Sequence, residues 1–268
     1  SNADDIGNQA GGWTISWQGS SGKITPGTTI LEGMKKAAKN PDSVTYSKDA
    51  SAATDGHDVG VVVVGETPYA EGIGDVGNGH DLELTAADKA AVEKVCAAMK
   101  CAVLIVSGRP QLIGDQLGDM DALVASWLPG SEGDGVADVL YGKRPFTGQL
   151  PVTWPKSEAQ LPINVGDTAY DPQFPYGWGL TTLNKPPAGG ELTLAALAVA
   201  AQVAQKAKLG KTPAGKAIVD QARLLVQQKI NGKFTQSVSK PFAEADHLLL
   251  KGDLTGAVAK LRTAYRAA

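Results

Sequence analysis

Positive charge is the first thing this sequence does not have in excess. Its 268 residues carry 25 Lys and Arg against 28 Asp and Glu, a net charge of −3. No basic stripe runs along any segment, which argues against nucleic acid as a partner. Histidine is scarce too: His57, His80 and His247 are scattered, neither His57 nor His80 has a second histidine at ligand spacing, and no metal centre or cofactor is expected. Long hydrophobic runs are missing. The longest apolar stretch outside the strands, Leu192 to Ala204, is too short and too alanine-rich to span a bilayer, so no membrane partner is expected. Cysteine is limited to Cys96 and Cys101. Read alone, they are either two buried thiols or a small disulfide loop, and the second would imply an oxidising compartment. No Asn-x-Ser/Thr acceptor occurs. Ser1-Asn2-Ala3 reads as an expression scar, and residues 1–10 are set aside as scar and leader; any signal peptide or upstream domain would lie outside the sequence.

What is there is organised around Val59–Asp81. The valines Val61 to Val64 form a continuous apolar run that reads as a strand buried on both faces, and it breaks into GETPYAEGIGDVGNGHD. That acidic, glycine-rich loop lies at the carboxyl end of a buried strand, where ligands bind in open α/β sheets. Upstream, Gly11–Gly19 is a short β-like segment with two tryptophans, and Thr28 or Thr29 caps a helix that Asn40-Pro41 stops. Val44–Tyr46 is a short strand. Downstream, a helix opens at Thr85 with Ala91, Val92, Val95, Cys96 and Met99 on its apolar face. Ala102–Val106 and Ala122–Trp127 are further strands, a helix carries Val136, Val139 and Leu140, and Leu150–Trp154 is a last strand before a Pro-rich, aromatic segment ending near Thr182. Alternating strands and helices predict an α/β fold, a mostly parallel sheet with helices on both faces.

Composition changes after residue 183. Residues 184–190 are a Pro/Gly linker, and 191–268 lacks any strand signal. Four helices are expected there, Leu192–Leu209, Pro213–Ile230, Pro241–Leu250 and Leu254–Arg266, with Ser239 and Asp253 capping the last two. Phe242, Ala245, Leu248 and Leu249 would face Leu254, Val258, Leu261 and Tyr265 in a small all-α bundle, an accessory module without catalytic residues.

Two motifs carry less than their letters suggest. Gly72-Ile73-Gly74-Asp75-Val76-Gly77 matches G-x-G-x-x-G, but a dinucleotide site needs those glycines directly after the strand and opening a helix. Here the next helix starts only near Thr85, and the loop is acidic. Gly130-Ser131-Glu132-Gly133 is better read as a strand-to-helix turn with Ser131 as N-cap than as a nucleophile elbow, because Pro129 holds the place of the first glycine. His80-Asp81 either shapes the acidic loop or touches a ligand. Glu71 is the candidate for chemistry. An exposed loop glutamate is commonly inert, but its setting beside Tyr69, on a glycine-rich loop at the sheet's carboxyl edge, is one that carries function.

The ordered segments GGWTISWQG, GTTILEGMKKA, VVVVGETPYAEGIGD, VCAAMKCAVLIVSGRP, ALVASWLPGSEGDGVADVLYG, TGQLPVTWPKS, LPINVGD and YDPQFPYGWGLTT resemble the C-terminal α/β-sandwich domain of family 3 glycoside hydrolases, in the exo-β-glucanase/β-glucosidase branch. The resemblance covers residues 11–183. It implies retaining hydrolysis of β-glucosidic bonds, with an Asp nucleophile supplied by an N-terminal (β/α)8 barrel of the same enzyme and the general acid/base supplied by this domain. The GE-x-PY-x-E pattern puts that acid/base on Glu71, and Trp17 matches one wall of an aromatic clamp. Tyr69, Asp75 and His80 are further candidates for contact with a β-glucoside or β-glucan oligosaccharide. Cys96 and Cys101 match a pair that is disulfide-bonded in relatives, which implies a secreted protein. The loop after Glu71 departs from the family in being longer and richer in glycine. With the nucleophile on the barrel, the present chain is expected to hold part of an active site and to be inactive alone. The alternative is a non-catalytic carbohydrate-binding or scaffold module with a helical tail that docks a partner.

Overall fold

A computed structural model describes residues 2–267 apart from 79, 181, 183–196, 199, 203 and 231–235. The chain forms two compact units, Ser1–Arg144 and Pro145–Ala268.

The first unit is built on three parallel strands in the order β1-β2-β3: β1 (Gly60–Gly65), β2 (Cys101–Val106) and β3 (Ala122–Ala125). Val63 lies opposite Leu104, and Ala102 opposite Ala122. Side chains alternate across the sheet, so Val61, Val63, Leu104 and Val106 share one face with Ala102 and Val124. That face packs on Ile30 and Leu31 of α2 (Ile30–Ala37) and on Val136 and Leu140 of α4 (Gly133–Leu140). The opposite face carries Val103 and Ile105, both buried, with α3 (Ala86–Ala98) against β1 and β2. The mostly parallel sheet with helices on both faces is therefore as the sequence implies.

The helix starts follow local chemistry. Thr29 caps α2 through a capping box with Glu32, and Thr85 caps α3 by accepting from Asp88 N. Ser131 does not cap α4; the N-cap is Glu132, and the Ser131 hydroxyl donates to the Glu132 carboxylate instead. Three expected strands are absent among the described residues. Gly11–Gly19 is a series of turns, because Trp13 and Ile15 adopt φ of 61° and 69°, outside any strand conformation. Val44–Tyr46 leaves a 3-10 turn, Pro41–Ser43, with Val44 turned onto the core. Leu150–Trp154 contains Pro151, which has no ladder donor, and it makes only an isolated antiparallel bridge between Trp154 and Phe174. Strand β3 ends at Ala125, short of Trp127, whose φ is 50°.

Residues 2–10, left out of the sequence-based fold, need correcting in the other direction. Asn2 N donates to Val63 O at 3.0 Å, so this segment runs along the free edge of β1. Leu31 N donates to Ala3 O at 2.8 Å. Helix α1 (Ile6–Ala10) buries Gln9 completely, its amide bonded to Thr28 O, Gly130 O and Ile30 N.

In the second unit, α5 (Pro213–Ile230), α6 (Gln236–Lys251) and α7 (Leu254–Ala267) enclose Val219, Val226, Phe242, Ala245, Leu254, Val258 and Leu261. The expected pairing of Phe242, Ala245, Leu248 and Leu249 with Leu254, Val258, Leu261 and Tyr265 is present. Asp253 accepts from Gly256 N at the start of α7. Helix α6 starts earlier than expected, with Pro241 inside it rather than at its start and Ser239 not its cap. Burial of Val238 beside Phe242 favours the extra turn. Of the first expected tail helix, the described part of residues 197–206 is helical, and the 184–190 linker lies outside the described residues. The two compact units divide at Arg144–Pro145, within the stretch 11–183 expected for the sandwich domain. Residues of the Pro-rich segment share the helical core: Trp178 stacks on Phe174 with centroids 6.4 Å apart and meets Phe242 edge-on at 5.6 Å. Large aromatic surface is stabilised wherever it can be buried, and here the helices provide that place.

Candidate active site

Strand β1 ends at Gly65, and the chain leaves the sheet through Glu66. Its carboxylate binds Arg109 Nε at 2.9 Å and accepts from the Tyr69 hydroxyl at 3.0 Å. Arg109 follows β2, so two adjacent strand ends are tied together by one ion pair. The same guanidinium lies 4.4 Å over the Tyr69 ring and donates from Nη1 to Gly74 O at 2.5 Å. Tyr69 is thus a pillar of the loop, its hydroxyl committed to Glu66. Gly74 is a glycine for a steric reason: a Cβ there would stand 2.1 Å from Tyr69 Cδ2. Gly12 answers on the other side, where a Cβ would meet Tyr69 O at 1.9 Å. The turns at 11–19 can therefore lie directly on the acidic loop.

Glu71 projects from this scaffold into solvent. Trp13 Nε1 donates to Glu71 Oε2 at 3.1 Å, and the exposed Trp13 and Trp17 rings stand 6.5 Å apart, tilted by 55°. The Glu71 carboxyl is held below its ordinary range, first by its own backbone N–H and then by the Trp17 and Trp13 indoles. Donors that bond the charged form favour it. At neutral pH this carboxylate is ionised.

Glu71, Trp17 and Trp13 are brought together by the fold. His80 is half-buried with its ring 5.7 Å from Tyr69, on the pillar side. Asp75 is exposed, and its backbone closes turns to Gly72 and Asn78. A cavity of about 190 Å³ lies beside Tyr69, lined by Gly12, Glu66, Thr67, Pro68 and Leu128 among others, but Glu71 is not one of its walls. Cys96 and Cys101 form a disulfide joining the end of α3 to the start of β2. The G-x-G-x-x-G letters fall in turns with no helix until Ala86. Among the described residues no three His, Cys, Asp or Glu side chains converge on a metal position, and no helix is long and apolar enough to cross a membrane. The roles of Trp13, Gln18, Glu66 and Arg109 were not foreseen. Arg109 had a usable signal, a lone cation at the carboxyl end of the neighbouring parallel strand.

Tyr69 gives a pH prediction. Burial first, and the Glu66 carboxylate next, push its hydroxyl up, with Arg109 opposing in part. The native state then keeps a proton that the unfolded chain loses near pH ~10. Stability from this group is full below that pH and is lost as pH rises above it. Urea unfolding of Tyr69→Phe should show a shallower alkaline decline. It should not be flat, because burial also raises Tyr170. An unchanged decline would contradict the assignment.

The first unit is a parallel α/β unit that presents an exposed carboxylate beside two indole rings near its strand ends. Comparison makes this specific. Residues 1–182 match the glycosyl hydrolase family 3 C-terminal domain, and the chain belongs to that family. It is 30% identical over 210 residues to the lysosomal beta glucosidase of Dictyostelium discoideum, covering 68% of this chain and 25% of that protein. It is 27% identical over 174 residues to the periplasmic beta-glucosidase of Salmonella typhimurium, covering 56% and 22%. Among solved structures, the exo-1,3/1,4-beta-glucanase of a Pseudoalteromonas species (Q683A mutant) is 38% identical with a TM-score of 0.61, over 69% of this chain and 31% of that one. The chain spans about a quarter of the length of these curated relatives.

Proposed function

We propose that this chain is the C-terminal portion of a retaining β-glucosidase or exo-β-glucanase and supplies Glu71 as general acid/base, opposite an Asp nucleophile on an N-terminal (β/α)8 barrel of the same enzyme. The observation that carries the reading is the placement of Glu71, solvent-facing at the strand ends and held by Trp13 on an aromatic turn. Retaining hydrolysis needs two carboxyl groups about 5–5.5 Å apart, the acid protonated when it meets the leaving oxygen. Exposure lets Glu71 enter a site completed by another surface. Its low-lying ionisation in this chain then has to be reversed there, by burial or by the neighbouring nucleophile. Trp17 would offer a ring face to the sugar beyond the cleaved bond, and Asp75 and His80 the next contacts along the loop. The Cys96–Cys101 disulfide supports export to an oxidising compartment.

A second reading, a carbohydrate-binding module, is favoured by the exposure of Trp13 and Trp17, 69% and 51%. Kinetics separate the two. In the barrel-containing enzyme, loss of an acid/base lowers kcat, whereas loss of a sugar contact raises KM with kcat preserved.

A further inference from the structure

Three side chains from the turns at 11–19 reach the acidic loop, the Trp13 and Trp17 indoles at the Glu71 carboxyl and Gln18 at the backbone. Trp13 bonds the Glu71 carboxylate. Gln18 spends both ends of its amide on the backbone beneath: Oε1 accepts from Ala70 N at 2.8 Å, and Nε2 donates to Glu71 O at 3.3 Å. A side-chain amide set against the N–H of one residue and the carbonyl of the next acts as a short piece of ladder between segments 52 and 53 positions apart. Trp13 N donates to Trp17 O at 2.9 Å, closing the turn that ends immediately before Gln18, and Gly19 N donates to Ser16 O at 3.2 Å around it. On its far side, Glu71 is bounded by Gly74, whose N–H donates to Ala70 O and whose carbonyl accepts from Arg109. Without Gln18, the peptide of Glu71 would be fastened only from that far side.

We infer that Gln18 is a positioning residue for Glu71, which joins the carboxylate and the tryptophan turn into one rigid piece so that acid and aromatic wall keep a fixed spacing. This deepens the acid/base reading of Glu71 and rests on it. Reacting groups tolerate little misplacement, and an error of about 1 Å can cost on the order of a hundredfold in rate. The 11–19 segment has no titratable side chain. The charged or titratable groups around Glu71 are Glu66, Tyr69, Asp75, His80 and Asp81 on its own loop, with the Tyr69 hydroxyl committed to Glu66, and Arg109, which is engaged with Glu66. Trp13 and Gln18 therefore act on Glu71 as neutral dipoles.

The test uses this chain as it stands. The Glu71 carboxyl is titrated by carbon-detected NMR, assigned with Glu71→Gln, in the parent, Trp13→Phe, Gln18→Ala and the double variant. Trp13→Phe removes a donor, so the midpoint should rise toward the ordinary carboxylate value. Gln18→Ala should raise it in the same direction by letting the loop drift from Trp13, and the double variant should go no further than the larger single change. A Gln18 that served stability alone would lower the melting temperature and leave the Glu71 midpoint in place, and that result overturns the inference. Should Gln18→Ala not fold, Gln18→Met keeps the length without the amide and carries the same comparison. In the barrel-containing enzyme, Gln18→Ala should lower kcat about ten- to a hundredfold with little change in KM. If Glu71→Gln leaves turnover intact there, the acid/base reading fails, while the NMR comparison still decides whether Gln18 positions the loop.

Discussion

Glu71→Gln in the enzyme that carries both this domain and its barrel is expected to lower kcat on substrates with poor leaving groups by about 10²- to 10⁴-fold, the usual contribution of a positioned acid/base. Glycosides of sugar or alkyl alcohols need a proton delivered to the departing oxygen. Aryl glycosides with acidic phenols need it far less, so bond cleavage in their case should be largely preserved. The ratio of the two losses in kcat/KM, which reports cleavage of the glycosidic bond and not the later hydrolysis of the shared glycosyl-enzyme, is therefore the diagnostic quantity. A direction of ionisation goes with it. In this chain the Glu71 carboxyl is held low by its own amide and the two indoles, which suits a base and not an acid. In the assembled site it should titrate higher, moved by desolvation and by the second carboxylate. The alkaline limb of catalysis, set by loss of the Glu71 proton, would then lie at higher pH than the titration of this chain alone would allow. Equal losses on both substrate types would contradict the proton-donor role.

The second large effect is on stability and lies in the helical unit. Arg223 and Asp246 form an ion pair with side-chain exposures of 2% and 1%. Arg223 also binds Asp220 at 2.8 Å and sits 5.7 Å over the Phe242 ring. Burial lowers the Arg223 pKa, with Asp220 opposing. Asp246→Ala leaves the buried guanidinium with the partly exposed Asp220 as counter-charge, a loss toward the lower end of the about 3–5 kcal/mol that breaking a buried pair costs. Replacing both partners, as Arg223→Met with Asp246→Leu, removes the stranded charge and should recover most of that loss. Denaturant unfolding followed through the helical signal measures both. If Asp246→Ala costs no more than a surface substitution, about 0.5 kcal/mol, the pair is not the keystone described here.

The parallel sheet was legible because β1 and β2 are short unbroken apolar runs, β1 held between Gly60 and Gly65, a pattern that suits a strand covered on both faces. The helix starts at Thr29 and Thr85 were equally plain, since capping is local chemistry. What failed was non-local. Ile15 and Trp13 look like strand residues, but both adopt left-handed φ beside Gly12, which lies directly on Tyr69 O. Residues 2–10 look like a leader until the open edge of β1 and the carbonyls that Gln9 satisfies are known. The aromatics of 145–182 carried no sign that they would share a core with helices beyond residue 197. Within the site, Glu71 and Trp17 stand out by pattern and meet in space. Gln18 acts through a backbone carbonyl and amide, which no side-chain pattern encodes, while Arg109 pairs with the Glu66 carboxylate and was legible only as a lone cation at a strand end.

The most direct test of the central claim is hydrolysis of an aryl β-glucoside by this chain alone at high protein concentration, beside its Glu71→Gln variant. A domain that contributes an acid/base to a nucleophile held elsewhere predicts no turnover from either protein. Turnover by the parent that the substitution abolishes would contradict that division. It would place a complete carboxylate pair within these residues, with Asp75 and Asp81 the first nucleophile candidates.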